Sequence, residues 1–173
     1  DNELRRIRGP EGPPGPALLF WKNCLDTVVR RNLLIDCWRG IAFGLAPPDG
    51  LSRGGPEVGY DHQNGLAENN VILALTDRAD SRIENSYALN CRVLHNTIFT
   101  ATSTVSWTIE YRLPGSTVLI GNNLANRGII NRSPGEATGV ETGNVTNARS
   151  GWFRNLQGGD FHLQAGSPAI DHG

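Results

Sequence analysis

The chain has 173 residues, with 16 Lys+Arg against 17 Asp+Glu for a formal net charge of −1, which gives no footing for nucleic acid or an anionic membrane surface as a partner. No stretch approaches the roughly 18 consecutive apolar residues of a membrane span. With 21 Gly and 10 Pro the sequence is punctuated by turns, so short strands are expected rather than long helices.

Residues 1–14 read as a polar N-terminal segment, with Arg5, Arg6 and Arg8 ahead of a Pro-Gly run. No basic-then-apolar secretion signal opens the chain and it contains no Met, so Asp1 is expected to be a processed end. From residue 15 a phrase begins to recur: a few extended residues, an Asn, then an apolar strand. It is Val-Val-Arg-Arg-Asn-Leu-Leu-Ile at 28–35, and after it comes Gly-Ile-Ala-Phe-Gly at 40–44. A Gly- and Pro-rich stretch, 46–64, interrupts the pattern and reads as an inserted loop that carries Tyr60, Asp61 and His62. The first phrase returns as Leu-Ala-Glu-Asn-Asn-Val-Ile-Leu at 66–73, and the second as Arg-Ile-Glu-Asn at 82–85. They alternate again at 92–99, 108–112, 119–125 and 128–132, with a weaker Thr-Gly-Asn-Val-Thr at 142–146.

Taking Asn32, Asn70, Asn96 and Asn123 as a reference column, Val29, Ala67, Val93 and Ile120 stand three residues earlier. Leu34, Ile72, Ile98 and Ala125 stand two residues later. Both columns are wholly apolar. A coil of about 26 residues carrying two or three short strands satisfies this pattern, because a coil cannot bury its apolar face alone and stacked coils can. The Asn column suits corners, where a carboxamide tolerates left-handed backbone and bonds the Asn above it. The expected fold is therefore all-β: a right-handed parallel β-helix of about four to five coils over residues 15–173. Cys24, Cys37 and Cys91 have no zinc-ligand spacing and read as small buried residues, with a Cys24–Cys37 disulfide as the alternative.

The closing stretch 160–173, Asp-Phe-His-Leu-Gln-Ala-Gly-Ser-Pro-Ala-Ile-Asp-His-Gly, resembles the last segment of secreted bacterial parallel β-helix proteins of the pectate-lyase-like superfamily. The segments beginning at Gly15, Arg39, Val93 and Ile109 are similar to the same family. This resemblance implies secretion and a polysaccharide, with an acidic one the case considered, lying in a groove along one parallel sheet. It also implies an N-terminal helical cap, and none is expected in the polar residues 1–14. The first coil is then expected to be open, so the chain is expected to be the C-terminal part of a longer β-helix, with end-to-end self-association through that coil as the alternative. Ala169-Ile170 is expected to plug the last coil. The pectin-hydrolase branch carries Asn-Thr-Asp, Asp-Asp, Gly-His-Gly and Arg-Ile-Lys motifs, and none occurs here.

Alternation assigns the groove-facing side chains. With Ile83, Ile109 and Ile129 inward, Glu84, Glu110 and Ile130 point outward, as do Ser86, Arg112 and Arg132. A carboxylate pair beside an arginine pair suits acid/base chemistry on a uronate, whose carboxylate arginines grip in bidentate fashion. Glu84, Glu110, Arg112, Arg132 and the loop His62 are thus the candidate catalytic residues. Tyr60, Asp61, Arg82 and His95 are the candidates for substrate binding. No metal site is assigned and no cofactor is expected, with calcium the one ion the carboxylates would suit. The same Glu–Arg set also reads as a ladder that keeps the sheet soluble. Two functions follow: a β-helix that cleaves or holds polysaccharide, or a non-catalytic extracellular solenoid stacked end to end. Asn131-Arg-Ser and Asn144-Val-Thr match the glycosylation acceptor pattern.

Overall fold

The computed structural model describes residues 2–8, 15–45, 60–75, 80–102 and 105–171. The described strands wind through five coils. The first holds β1 (Glu3–Arg5), β2 (Pro16–Phe20), β3 (Cys24–Leu25) and β4 (Val28–Arg30). The second holds β5 (Leu33–Ile35), β6 (Arg39–Phe43), β7 (His62–Gln63) and β8 (Leu66–Glu68). The third holds β9 (Val71–Ala74), β10 (Ile83–Ser86), β11 (Ala88–Leu89) and β12 (Cys91–Leu94). The fourth holds β13 (Thr97–Thr100), β14 (Trp107–Arg112) and β15 (Thr117–Gly121), and the fifth β16 (Leu124–Ala125), β17 (Gly128–Asn131) and β18 (Thr138–Thr142). Each strand pairs in parallel with its counterpart one coil away. The result is three five-stranded parallel sheets: A (β1-β5-β9-β13-β16), B (β2-β6-β10-β14-β17) and D (β4-β8-β12-β15-β18). A short three-stranded sheet C (β3-β7-β11) turns the corner between B and D. This is a parallel β-helix.

The core is built from the columns read in the repeat. Leu4, Leu34, Ile72, Ile98 and Ala125 are register partners along sheet A. Leu18, Ile41, Ile83, Ile109 and Ile129 follow along B, and Val29, Ala67, Val93 and Ile120 along D. Ile41, Ile72, Ile83, Ile98, Ile109 and Ile120 are each 1% exposed or less, so each contributes about 1.5–3 kcal/mol of apolar burial. The asparagines form a continuous ladder between sheets D and A. The carboxamide and the backbone N–H of Asn2, Asn32, Asn70, Asn96 and Asn123 each donate to the Oδ1 of the next rung, ending on Asn144. The left-handed corner is not the Asn itself but the residue before it: Arg31, Asn69, His95, Asn122 and Gly143 have φ between 52° and 61°.

Several expectations change. The polar segment 1–14 contributes Glu3–Arg5 to sheet A as a strand against Leu33–Ile35, while residues 9–14 lie outside the described residues. Of the inserted loop 46–64, residues 46–59 lie outside the described residues, but His62–Gln63 is strand β7, seated between β3 and β11. Cys24, Cys37 and Cys91 are free thiols rather than a disulfide pair, and Cys37 Sγ lies 3.6 Å from the Ile35 carbonyl.

Ile170 is 44% exposed and does not plug the last coil. Instead β19 (Phe153–Asn155) and β20 (Asp160–Leu163) form an antiparallel hairpin folded onto the outer face of sheet A. The reason is that sheet A is apolar on both faces. Leu33, Ile35, Val71, Leu73, Phe99 and Leu124 point away from the core and would meet water without Phe153, Leu156, Phe161 and Leu163.

Candidate functional site

Sheet B carries the residues singled out by alternation. Glu84 and Glu110 are register partners on β10 and β14, and Ser86 is the partner of Arg112. Both glutamates point away from the isoleucine core, yet their side chains are only 2% exposed. Arginines and a tryptophan close over them. Arg112 Nη2 lies 2.5 Å from Glu84 Oε1, and Arg112 Nε lies 3.6 Å from Glu110 Oε1. Arg132 Nη1 lies 3.2 Å from Glu110 Oε2, and the indole N–H of Trp107 donates to that same oxygen at 2.9 Å. The Arg132 guanidinium sits over the Trp107 ring, 5.6 Å from its centroid. On the other flank Arg39 reaches Glu84 at 3.3 Å and Asp80 at 2.7 Å.

The charges therefore alternate along the sheet: Asp80, Arg39, Glu84, Arg112, Glu110, Arg132. Burial alone would lower the Arg39 pKa, but Glu84 and Asp80 outweigh it and raise it. Burial likewise opposes ionisation of Asp80, and Arg39 overcomes it to hold the carboxyl below its ordinary range. The Ser86 hydroxyl donates to Glu84 at 2.7 Å and accepts from Arg112 at 2.9 Å, which fixes the middle rung. Like carboxylates one strand apart repel, and interleaved guanidiniums remove that cost.

Arg39, Asp80 and Trp107 were not legible as members of this set. Counted back from Ile41 and Ile109, strict alternation turns Arg39 and Trp107 inward. A bulge between Trp107 and Ile109 reverses the parity there. Near Arg39, the consecutive amides of Gly40 and Ile41 both donate to the β10 segment, which marks a second irregularity.

The other candidates lie elsewhere. His62 is not a loop acid/base but a fully buried core residue. Its ring packs on Phe43 at 4.7 Å, Nε2 meets the Thr27 hydroxyl at 3.0 Å, and Nδ1 faces Cys91 Sγ at 3.8 Å. Burial pushes its pKa down to about 4 and pushes the Cys91 thiol up to about 12, so this pair is neutral and structural. Asp61 is buried and accepts from the amides of Lys22 and Leu45 at 2.6 and 2.9 Å, tying two coils together. Tyr60 is half-buried beside it in sequence.

Arg82 is fully buried rather than substrate-facing. Its guanidinium donates to the carbonyls of Cys37 (2.8 Å), Trp38 and Asp80, and burial lowers its pKa to about 10. His95 is exposed at a left-handed corner between β12 and β13, away from sheet B. Among the described residues no three His, Cys, Asp or Glu side chains gather to hold a metal ion, and the carboxylates that calcium would use are already neutralised by arginines. The carboxamides of Asn131 and Asn144 donate to Ala137 and Ile120 carbonyls, so neither acceptor motif offers a free amide.

Fold and site together define a parallel β-helix whose broadest outer face is sealed by an internally neutral ion ladder. Comparison with known proteins finds no matching family model, no matching curated protein and no matching solved structure.

Proposed function

We propose that this chain is a secreted β-helix of the pectate-lyase-like kind that holds an acidic polysaccharide without cleaving it. The observation that carries the non-catalytic half is the state of Glu84 and Glu110. Each is 2% exposed and held between two guanidiniums, so neither has a path to substrate. His62, the other candidate base, is sealed in the core. Support for a polysaccharide partner comes from the resemblance of the repeats and of residues 160–173, together with the long parallel faces of the solenoid.

The test is incubation with alginate, pectate and chondroitin, following unsaturated products by ultraviolet absorbance and new reducing ends by colorimetry. No products, with retention of the protein in an alginate-containing native gel, is the expected outcome. Product formation would overturn the non-catalytic reading. The rival, a structural solenoid stacked end to end, instead requires no glycan retention and a solution mass that rises with concentration.

A further inference from the structure

The three large sheets differ in what covers their outer faces. Sheet A lies under the β19–β20 hairpin and sheet B under its ion ladder. Sheet D, among the described residues, carries neither. Its register stacks one outward residue from each coil into a single column: Val28, Leu66, Arg92, Leu119 and Val140. Val28 is 55% exposed, Leu119 36% and Val140 60%. Four inter-strand steps of about 4.8 Å make the column roughly 19 Å long. A shallow groove of about 410 Å³ is lined by its last three members, Arg92, Leu119 and Val140, and edged by Asn90, Thr117 and Thr138.

Arg92 is the one charged residue of this column. It is exposed, and among the described residues its guanidinium has no ion-pair partner. The sheet B arginines are all engaged. An unpaired guanidinium centred in an aliphatic stripe complements an anionic group carried on an apolar surface. A second copy of the chain fits poorly. The column is symmetric about Arg92, so a two-fold partner matching the aliphatic residues would set Arg92 against Arg92. A stable interface also needs about 800 Å² per partner, far more than one residue-wide column supplies.

We infer that the acidic polysaccharide binds along sheet D rather than sheet B, with a carboxylate gripped by Arg92. The C–H faces of its rings lie on Leu119 and Val140, and its hydroxyls meet Asn90, Thr117 and Thr138. This rests on the polysaccharide-binding reading above and locates it on a face that reading did not specify.

The experiment measures alginate affinity for the full chain, for Arg92→Glu and Val140→Asp on sheet D, and for Arg132→Gln on sheet B. Near-ultraviolet circular dichroism establishes that each variant is folded. Arg92→Glu is expected to weaken binding at least tenfold, Val140→Asp several-fold and Arg132→Gln less than twofold. Alginate with its carboxyls reduced should bind the unaltered chain no better than Arg92→Glu binds alginate. Loss in Arg132→Gln with none in Arg92→Glu would move the site to sheet B, overturning this inference while leaving polysaccharide binding intact. An unaltered chain that binds neither alginate, pectate nor chondroitin would overturn the binding reading itself. A dimer in sedimentation that Arg92→Glu or Val140→Asp dissociates would make the face a contact between copies, and the inference would fail.

Discussion

Sheets A and B are neighbours built from the same repeat, yet their outer faces are sealed by opposite means. Sheet A presents Leu33, Ile35, Val71, Leu73 and Phe99 outward and is covered by a distant piece of chain, with Phe153 meeting Phe99 edge-on at 6.3 Å. Sheet B presents Glu84 and Glu110 and is covered by side chains of its own coils and their immediate neighbours. The first solution is non-directional, scales with apolar area and needs a separate element. The second is directional, needs each charge at its rung, and fails locally if one is removed. A parallel solenoid can thus hide a face with hydrophobic cover or with internal neutralisation, and only the latter places ionisable groups in a row.

The largest test of this contrast is Phe153→Ala. It removes the centre of the hairpin's apolar contact and should cost about 3–5 kcal/mol in urea unfolding, with the hairpin becoming protease-sensitive. A loss below 1 kcal/mol would mean the hairpin is not what seals sheet A.

Acid is the next probe, because a loss of stability at low pH would naturally be assigned to the sheet B carboxylates. The buried His62 provides another source. Its folded pKa is depressed to about 4, below the ordinary 6.5, so the unfolded chain takes up the proton first. Stability is therefore full above pH 6.5 and falls as pH drops toward 4, by up to about 3 kcal/mol, with no further loss from this group below that. His62→Phe should flatten the slope between pH 6.5 and 4. A slope that survives the substitution would point back to the ladder.

Glu110→Gln breaks the ladder at the rung shared by Arg112, Arg132 and Trp107. It should cost about 1–3 kcal/mol, because Arg112 keeps Glu84 while Arg132, left without its carboxylate, is partly exposed and can turn to water. The same substitution in 1 M NaCl should cost less, whereas salt should leave the Phe153→Ala loss unreduced. Arg132→Gln is the smallest effect. Its side chain is 40% exposed, so about 0–1 kcal/mol is expected. A loss equal to that of Glu110→Gln would show that Arg132, not Arg112 or Trp107, carries the rung.

The sequence alone determined the coil. Apolar columns at fixed offsets from Asn32, Asn70, Asn96 and Asn123 can be satisfied only by stacking, and the same offsets made Glu84 and Glu110 neighbours. Side chains that repeat in register are legible because the period records the spacing of strands. Whatever depends on parity breaks or on distant chain returning was not legible. Bulged backbone brought Trp107 and Arg39 over the glutamates, and local pairing drew His62 out of a loop into the core. The hairpin crossed sheet A because an apolar outer face must find cover wherever the chain can supply it. Alternation says which way a residue points, but burial is a property of what folds over it. So the tertiary structure alone decided that an outward-facing carboxylate pair is a closed ladder, and that sheet D is the face left uncovered among the described residues.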